Sequence, residues 1–243
     1  MNEQNILEVR NITKKYRIYH VKHTTLFETI ISKFKSEKTY ETLNALDNVT
    51  FNAKPGELIA LIGRNGCGKT TLLKIISRII PPTKGTIKIS KKIVPFLSLG
   101  SGFHYELTGR ENVKLFSAIM GLDKKTTKKN LEEIFTFAGV KKFQDTKLKY
   151  YSSGMVSRLA FSTMIKADFD VMLLDEIFAV GDKEFKNKCI DKMLEFKKKG
   201  KTIILATHDT DTVKKFADRA ILLEKGKIIS TGKPAKVIED YFK

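Results

Sequence analysis

The run Gly63-Arg64-Asn65-Gly66-Cys67-Gly68-Lys69-Thr70 restricts this chain more than any other feature, because it joins a glycine-rich turn to a lysine and a hydroxyl residue at fixed spacing. It ends the apolar stretch Leu58 to Ile62 and opens the segment Thr71 to Ser77, so it reads as strand, loop and helix in succession. The glycines let successive backbone N–H groups turn inward as a concave cradle for phosphate oxygens. The helix that follows, starting near Thr71, adds the positive end of its dipole. Lys69 supplies a mobile ammonium for the outer phosphates, and the Thr70 hydroxyl stands where magnesium takes an oxygen ligand. The pattern therefore predicts an α/β fold that binds a nucleoside triphosphate with Mg2+.

A second constellation lies downstream. Val171-Met172-Leu173-Leu174 has the composition of a strand buried on both faces, and it delivers Asp175 and Glu176 at its carboxyl end. Ligands of open α/β sheets bind at such strand ends. Asp175 is expected to hold the metal through water, and Glu176 to orient or deprotonate a water attacking the terminal phosphate. The acid pair gains its force from lying downstream of an intact phosphate loop.

With 243 residues, 42% of them hydrophobic, the chain suffices for one large α/β domain or two small ones. No stretch approaches the roughly 18 uninterrupted apolar residues that cross a bilayer. The start, Met1-Asn2-Glu3-Gln4-Asn5, lacks the basic-then-apolar pattern of a signal peptide, which sets the expected location in the cytoplasm. Two cysteines, Cys67 in the loop and Cys189 in a polar helical segment, suggest neither a disulfide framework nor a metal cluster. Alkylation of Cys67 would block the loop sterically, but its thiol has no expected role. The net charge of +18 is spread over lysine clusters such as Lys124-Lys125, Lys128-Lys129, Lys141-Lys142 and Lys197 to Lys199. Nucleic acid, anionic lipid or solubility could account for it. The lysines look dispersed and no aromatic-interleaved basic motif or recognition helix is present, which favours work near a negative membrane face over nucleic acid.

Along the chain, Ile6 to Ile12, Val49 to Phe51, Leu58 to Ile62, Thr86 to Ile89 and Ile93 to Phe96 read as strands, the first of them forming an antiparallel entrance. Arg110 to Met120, Lys124 to Ala138 and Met155 to Ala167 carry the 3.6-residue apolar spacing of amphipathic helices and read as a helical insertion. Val171 to Leu174 and Thr202 to Ala206 return as parallel strands. Ala220 to Leu223 and Lys227 to Ser230 pair across Lys225-Gly226, and Ala235 to Phe242 closes as a helix. The stretch Tyr19 to Leu43 separates the first strand from its partners by more than a hairpin loop. Within it Leu26, Phe27, Ile30, Ile31 and Phe34 share a helical face, and Thr25 with Glu28 makes a capping box. That face either packs on the protein's own core or meets a membrane partner or lipid headgroups.

These motifs, taken together and in this order, resemble the ATP-binding subunit of ABC transporters over nearly the whole chain, from Ile6 to about Tyr241. Tyr151-Ser152-Ser153-Gly154-Met155 stands at a helix start where the family usually carries LSGGQ, a variant similar to that of polysaccharide and O-antigen exporters. The segment Gly102-Phe103-His104-Tyr105-Glu106-Leu107-Thr108-Gly109-Arg110-Glu111-Asn112 and the run Asp175-Glu176-Ile177-Phe178-Ala179-Val180-Gly181-Asp182 are similar to that subfamily as well, and exporters of O-antigen and wall teichoic acid carry an early insertion like Tyr19 to Leu43.

The resemblance implies a single nucleotide-binding domain over 1–243. Its expected parts are a RecA-like core, an antiparallel β subdomain, a helical subdomain over about 104–167 and the insertion at 19–43. It implies a head-to-tail pair of copies in which ATP sits between one P-loop and the other copy's Ser152, Ser153 and Gly154. It further implies that Tyr16, with Tyr19 as rival, stacks on adenine, that His208 contacts the terminal phosphate, and that Asp182 crosses the dimer. The usual glutamine after Ile93 to Leu97 is replaced by Ser98 and Leu99; Ser98 could offer a metal-ligating hydroxyl without a glutamine's reach. The implied function is an ATPase on the cytoplasmic face of the membrane, driving export of a lipid-linked polysaccharide through separate permease subunits. The chain stops soon after Phe242, so a C-terminal carbohydrate-binding domain is not expected. Two rival readings are a soluble ABC ATPase acting on nucleic acid or the ribosome, which the charge suggests, and a non-hydrolysing regulatory module, which Glu176 argues against.

Overall fold

The computed structural model describes residues 5–19, 40–97, 102–176 and 182–243. Among these, nine strands form two sheets. The larger sheet has the order β5 (Ile93–Phe96), β6 (Val171–Asp175), β7 (Thr202–Ala206), β3 (Leu58–Ile62), β8 (Arg219–Glu224) and β9 (Lys227–Gly232). Its first five strands are parallel, and β9 joins antiparallel to β8. Successive side chains of a strand face opposite layers, so a strand covered on both faces must be apolar throughout. Ile59, Leu61, Leu173, Ile204 and Ile221 face one layer; Met172, Leu174, Ile203 and Leu205 face the other.

The smaller sheet, order β2-β1-β4, is antiparallel: β1 (Leu7–Tyr19) lies between β2 (Tyr40–Ala53) and β4 (Lys84–Ile89). Its strands run longer than their hydrophobic alternation suggests. Ladder pairing continues from Leu7↔Ala53 to Tyr19↔Tyr40, but the register shifts between Val9 and Lys15. At one shift Asn11 and Asn48 both adopt the left-handed region, φ 51° and 54°, and Asn11 Nδ2 donates to Asn48 Oδ1 at 2.8 Å. Each bulge resets the two-residue period, which is why only fragments read as strand. Tyr19 and Tyr40–Leu43, expected within the insertion, are therefore ladder residues; the capping box at Thr25 and the helical face from Leu26 to Phe34 lie outside the described residues.

Helix α1 (Lys69–Ile76) packs Leu72, Leu73, Ile75 and Ile76 into the layer between the two sheets. Between β5 and β6 stand α2 (Gly109–Ile119), α3 (Lys124–Ala138) and α4 (Ser153–Met164). Thr108 and Glu111 form a reciprocal capping box on α2, Asp123 caps α3, and Gly139 at φ 68° ends it. Phe96, Phe135 and Phe161 fill the core that joins these helices to the large sheet. Helices α5 (Lys183–Lys198), α6 (Thr210–Phe216) and α7 (Pro234–Tyr241) complete the described residues. Val213 of α6 and Val237 of α7 cover Ala60, Ile62, Ala220 and Leu222. The short, mostly polar α6 lies where the sequence reading placed no element.

Candidate nucleotide-binding site

The loop after β3 takes its shape from two glycines. Gly63 sits at φ 150°, and a Cβ there would strike the Leu223 carbonyl and come within 2.7 Å of Cys67 Sγ. Gly68, at φ 113°, would place a Cβ 2.7 Å from the Ala45 carbonyl. Both sterics and backbone angle thus demand glycine. Lys69 is buried, and its Nζ donates to the Gly63 carbonyl at 2.7 Å and the Arg64 carbonyl at 3.2 Å. The turn closes with Cys67 N–H donating to Arg64 O, while Gly226 N–H donates to Cys67 O at 3.0 Å, tying the loop to the β8–β9 turn.

In front of the loop lies a cleft of about 720 Å³, which Tyr16 of β1 borders together with Asn65, Gly66, Gly68, Lys69, Thr70, Thr71, Asp175 and Glu176. The structure therefore gathers the strand-end acids, the phosphate loop and the expected adenine-stacking tyrosine around one space. Tyr16 is part-exposed, with Lys14 Nζ 5.1 Å from its ring centroid. Tyr19, the rival, pairs with Tyr40 in the β1–β2 ladder. Arg64 and Cys67, grouped with the loop in the sequence, do not border this space. They border a second cavity of about 480 Å³, lined also by Leu222, Glu224 and Asp240, while Lys69 Nζ stands 3.9 Å from Cys67 Sγ. Other residues, Leu43, Asn44, Ala45, Leu97 and Lys225, join the cleft through tertiary packing alone and carry no local sequence pattern.

The acids arrive by strand pairing. Asp175 lies opposite Ala206 in the β6–β7 ladder, and Glu176 N–H donates to the Ala206 carbonyl at 3.0 Å. Glu176 adopts φ 49°, a left-handed conformation that costs a non-glycine residue about 1–2 kcal/mol and is held here by the sheet. Burial raises the Asp175 carboxyl above the usual carboxylate range, with the neighbouring Glu176 adding to it, while a hydrogen bond from Thr70 and the charges of Lys69 and Lys74 pull the other way. A half-buried carboxylate facing a threonine hydroxyl is an all-oxygen donor set suited to a hard divalent cation. Ser98, the other candidate ligand, lies outside the described residues.

His208 follows β7 by two residues, and its Nδ1 stands 3.5 Å from Glu176 Oε1. Its loop is fixed by Asp209, which caps α6 through Thr212 N–H at 3.1 Å and pairs with Lys186 of α5. Burial alone would raise the Asp209 carboxyl, but Lys186 and the Thr212 amide and hydroxyl together hold it at about 2.

The expected signature is not part of this cleft. Ser152 caps α4 by accepting from Met155 N–H at 3.2 Å, and Ser153 and Gly154 form the first helical turn, with the serines exposed. Tyr151, which opens the signature run, is held within its own chain: its ring is buried, its hydroxyl donates to the Phe143 carbonyl at 2.6 Å, and burial pushes its pKa up to about 12. The same hydroxyl occupies the space that a Cβ at Gly109 would need. Tyr151 thus anchors the turn from which Ser152 and Ser153 stand exposed. Asp182 caps α5 through Phe185 N–H at 2.9 Å and meets Arg158 of α4 at 3.4 Å, a link that sequence reading missed.

Comparison with known proteins accords with this architecture. The family described as "ABC transporter" matches residues 46–179. The chain is 36% identical over 241 residues to the O-antigen export system ATP-binding protein RfbB of Klebsiella pneumoniae, covering 97% of each. It is 36% identical over 235 residues to the teichoic acids export ATP-binding protein TagH of Bacillus anthracis, covering 97% of this chain and 42% of that one. Among solved structures it matches the ATP-binding cassette MJ0796, described as a dimer in a post-hydrolysis state bound to ADP and Pi. That match has a TM-score of 0.76 at 23% identity and covers 94% of this chain and 98% of the other. Its fold is that of an ABC cassette, and the chain belongs to the ABC transporter family as an ATPase subunit.

Proposed function

We propose that this ATPase powers export of a lipid-linked cell-surface glycan, of the O-antigen or teichoic acid kind, through separate membrane subunits. The single observation that carries the ATPase chemistry is the convergence of Lys69, Thr70, Asp175 and Glu176 on one cleft, with His208 reaching Glu176 from the adjacent strand. The glycan class is supported by the kinship with RfbB and TagH. No helix among the described residues is long and apolar enough to cross a membrane, so membrane passage falls to other chains in this reading.

In this reading the loop amides and Lys69, drawn outward from the Gly63 carbonyl, bind the phosphates of ATP, and Tyr16 stacks on adenine. Thr70 and Asp175 would hold Mg2+, which neutralises phosphate charge. Glu176 takes a proton from, or orients, the attacking water, and His208 beside it contacts the terminal phosphate. Ser152, Ser153 and Gly154 lie outside the cleft of their own chain, which fits their meeting ATP held by a second copy, with Asp182 at the same interface. Loss of phosphate then removes the charge both copies grip, and the pair opens.

Steady-state ATPase measurement at rising protein concentration tests this. Wild type is expected to show rates that climb faster than protein concentration. Glu176→Gln should lower turnover by about 10²–10⁴-fold, the usual range for a lost general base, while still binding ATP. Ser153→Arg should abolish the concentration dependence. A rate linear in protein and indifferent to Ser153 would refute the composite site; an unaffected Glu176→Gln would refute the catalytic assignment.

A further inference from the structure

Three of the four lysine clusters that look dispersed along the chain meet at one groove of the helical layer. Lys124, Lys128 and Lys141, one from each of three clusters, border a groove of about 870 Å³ together with Arg110 and Lys114 of α2. Two of these five cations are neutralised: Arg110 by Asp145 at 2.8 Å and Lys141 by Glu132 at 2.6 Å. Lys114, Lys124 and Lys128 are exposed, and no carboxylate among the described residues is shown within ion-pair distance of them. Between the cations the groove is aliphatic, formed by Ala118, Leu122 and the buried Leu131. Thr127, also at the groove, spends its hydroxyl on the Asp123 carbonyl at 2.9 Å.

We propose that this groove seats the headgroup of an anionic phospholipid, with phosphate against Lys114, Lys124 and Lys128 and the glycerol and first methylenes on Ala118, Leu122 and Leu131. Surplus positive charge beside an aliphatic strip complements a group that is anionic at one end and apolar at the other. A groove of this size accepts one headgroup; pockets for single small ligands span roughly 300–1,000 Å³. Nucleic acid fits less well, because no aromatic ring among the described residues borders the groove to stack on bases. The inference rests on the groove's own charge and shape and stands apart from the ATP site.

The test is co-sedimentation of the full chain with vesicles of phosphatidylcholine alone or mixed with phosphatidylglycerol. Three forms are compared: wild type, the groove variant Lys114→Glu/Lys124→Glu/Lys128→Glu, and a control of identical charge change, Lys214→Glu/Lys215→Glu/Lys236→Glu. Wild type and control are expected to bind phosphatidylglycerol vesicles. The groove variant should bind them at least roughly tenfold more weakly, since each lysine near an anionic surface contributes appreciably. ATPase rates matching wild type would show that both variants are folded. Equal losses in the two variants would overturn the groove in favour of bulk charge. Unchanged vesicle binding with lost binding to a single-stranded oligonucleotide would overturn lipid in favour of nucleic acid.

Discussion

Helices α1 and α4 both begin where a nucleotide is proposed to sit, yet their N-termini are built differently. Ser152 caps α4 with its own hydroxyl, as Thr108, Asp123, Asp182 and Asp209 cap α2, α3, α5 and α6. Gly68, at the start of α1, offers no side-chain cap. The first turn of a helix has amides without internal partners, so a side chain, water or ligand must satisfy them. At α1 the chain forgoes the cap and leaves those amides to an anion, supporting the bare turn from outside through Leu223, Ala45 and Gly226. At α4 a capped turn needs no ligand for its own stability. In the proposed function one end is built around its ligand, and the other presents itself to a second molecule.

The comparison breaks most sharply at Gly63. Gly63→Ala must clear the Leu223 carbonyl and Cys67 Sγ and also hold an unfavourable φ. Overpacking and backbone strain cost about 1–3 kcal/mol each, so a loss of several kcal/mol is expected in urea unfolding, along with ATP affinity. Gly66→Ala, at φ 78° with open space around its Cβ position, should cost only the backbone term of about 1–2 kcal/mol. Equal losses at the two positions would mean that the packing behind the loop does not shape it.

A smaller effect sharpens the other side. Ser152→Ala removes a cap and should cost about 1 kcal/mol of stability, while Ser153→Ala, inside the first turn, should leave stability within about 0.5 kcal/mol. If Ser153→Ala nevertheless lowers ATPase activity, the two serines divide the work, one shaping the turn and one presented across the interface. If Ser152→Ala leaves thermal unfolding unchanged, the contrast between capped and uncapped helix starts carries no energetic weight.

What could be read in the sequence follows the same division. The strands from Leu58, Val171 and Thr202 show as unbroken apolar runs because both faces are covered, and the structure gives Leu58–Ile62 and Thr202–Ala206 at the expected bounds. The phosphate loop was legible because its glycines and lysine act through local backbone geometry. Bulges at Asn11 and Asn48 hid the length of β1 and β2, and α6 is short and mostly polar. The packing of the Tyr151 hydroxyl against Gly109, the Arg158–Asp182 link and the meeting of Lys114 with Lys141 at one groove depend on residues distant in sequence, and no local pattern announces them.

The smallest expected effect concerns the loop that carries His208. The folded-state pKa of Asp209, about 2, lies below the ordinary aspartate value of about 3.9, so its charge stabilises the fold above that value. The stabilisation should fade as pH falls from about 4 through 2, when both folded and unfolded forms take up the proton. Because Asp209 is partly open to solvent, its share should stay at or below about 1 kcal/mol. Glu195, held at about 2 by hydrogen bonds from Lys192 and Lys199, titrates in the same window, so the acid limb of wild type alone cannot assign the effect. Asp209→Asn isolates it. Asparagine still caps α6 but loses the charge that meets Lys186, so the variant should be less stable than wild type at pH 7 and the gap should close near pH 2. A gap that persists unchanged at low pH would show that Asp209 acts through shape rather than charge. His208 would then be positioned by the cap, with the Lys186 pair contributing little.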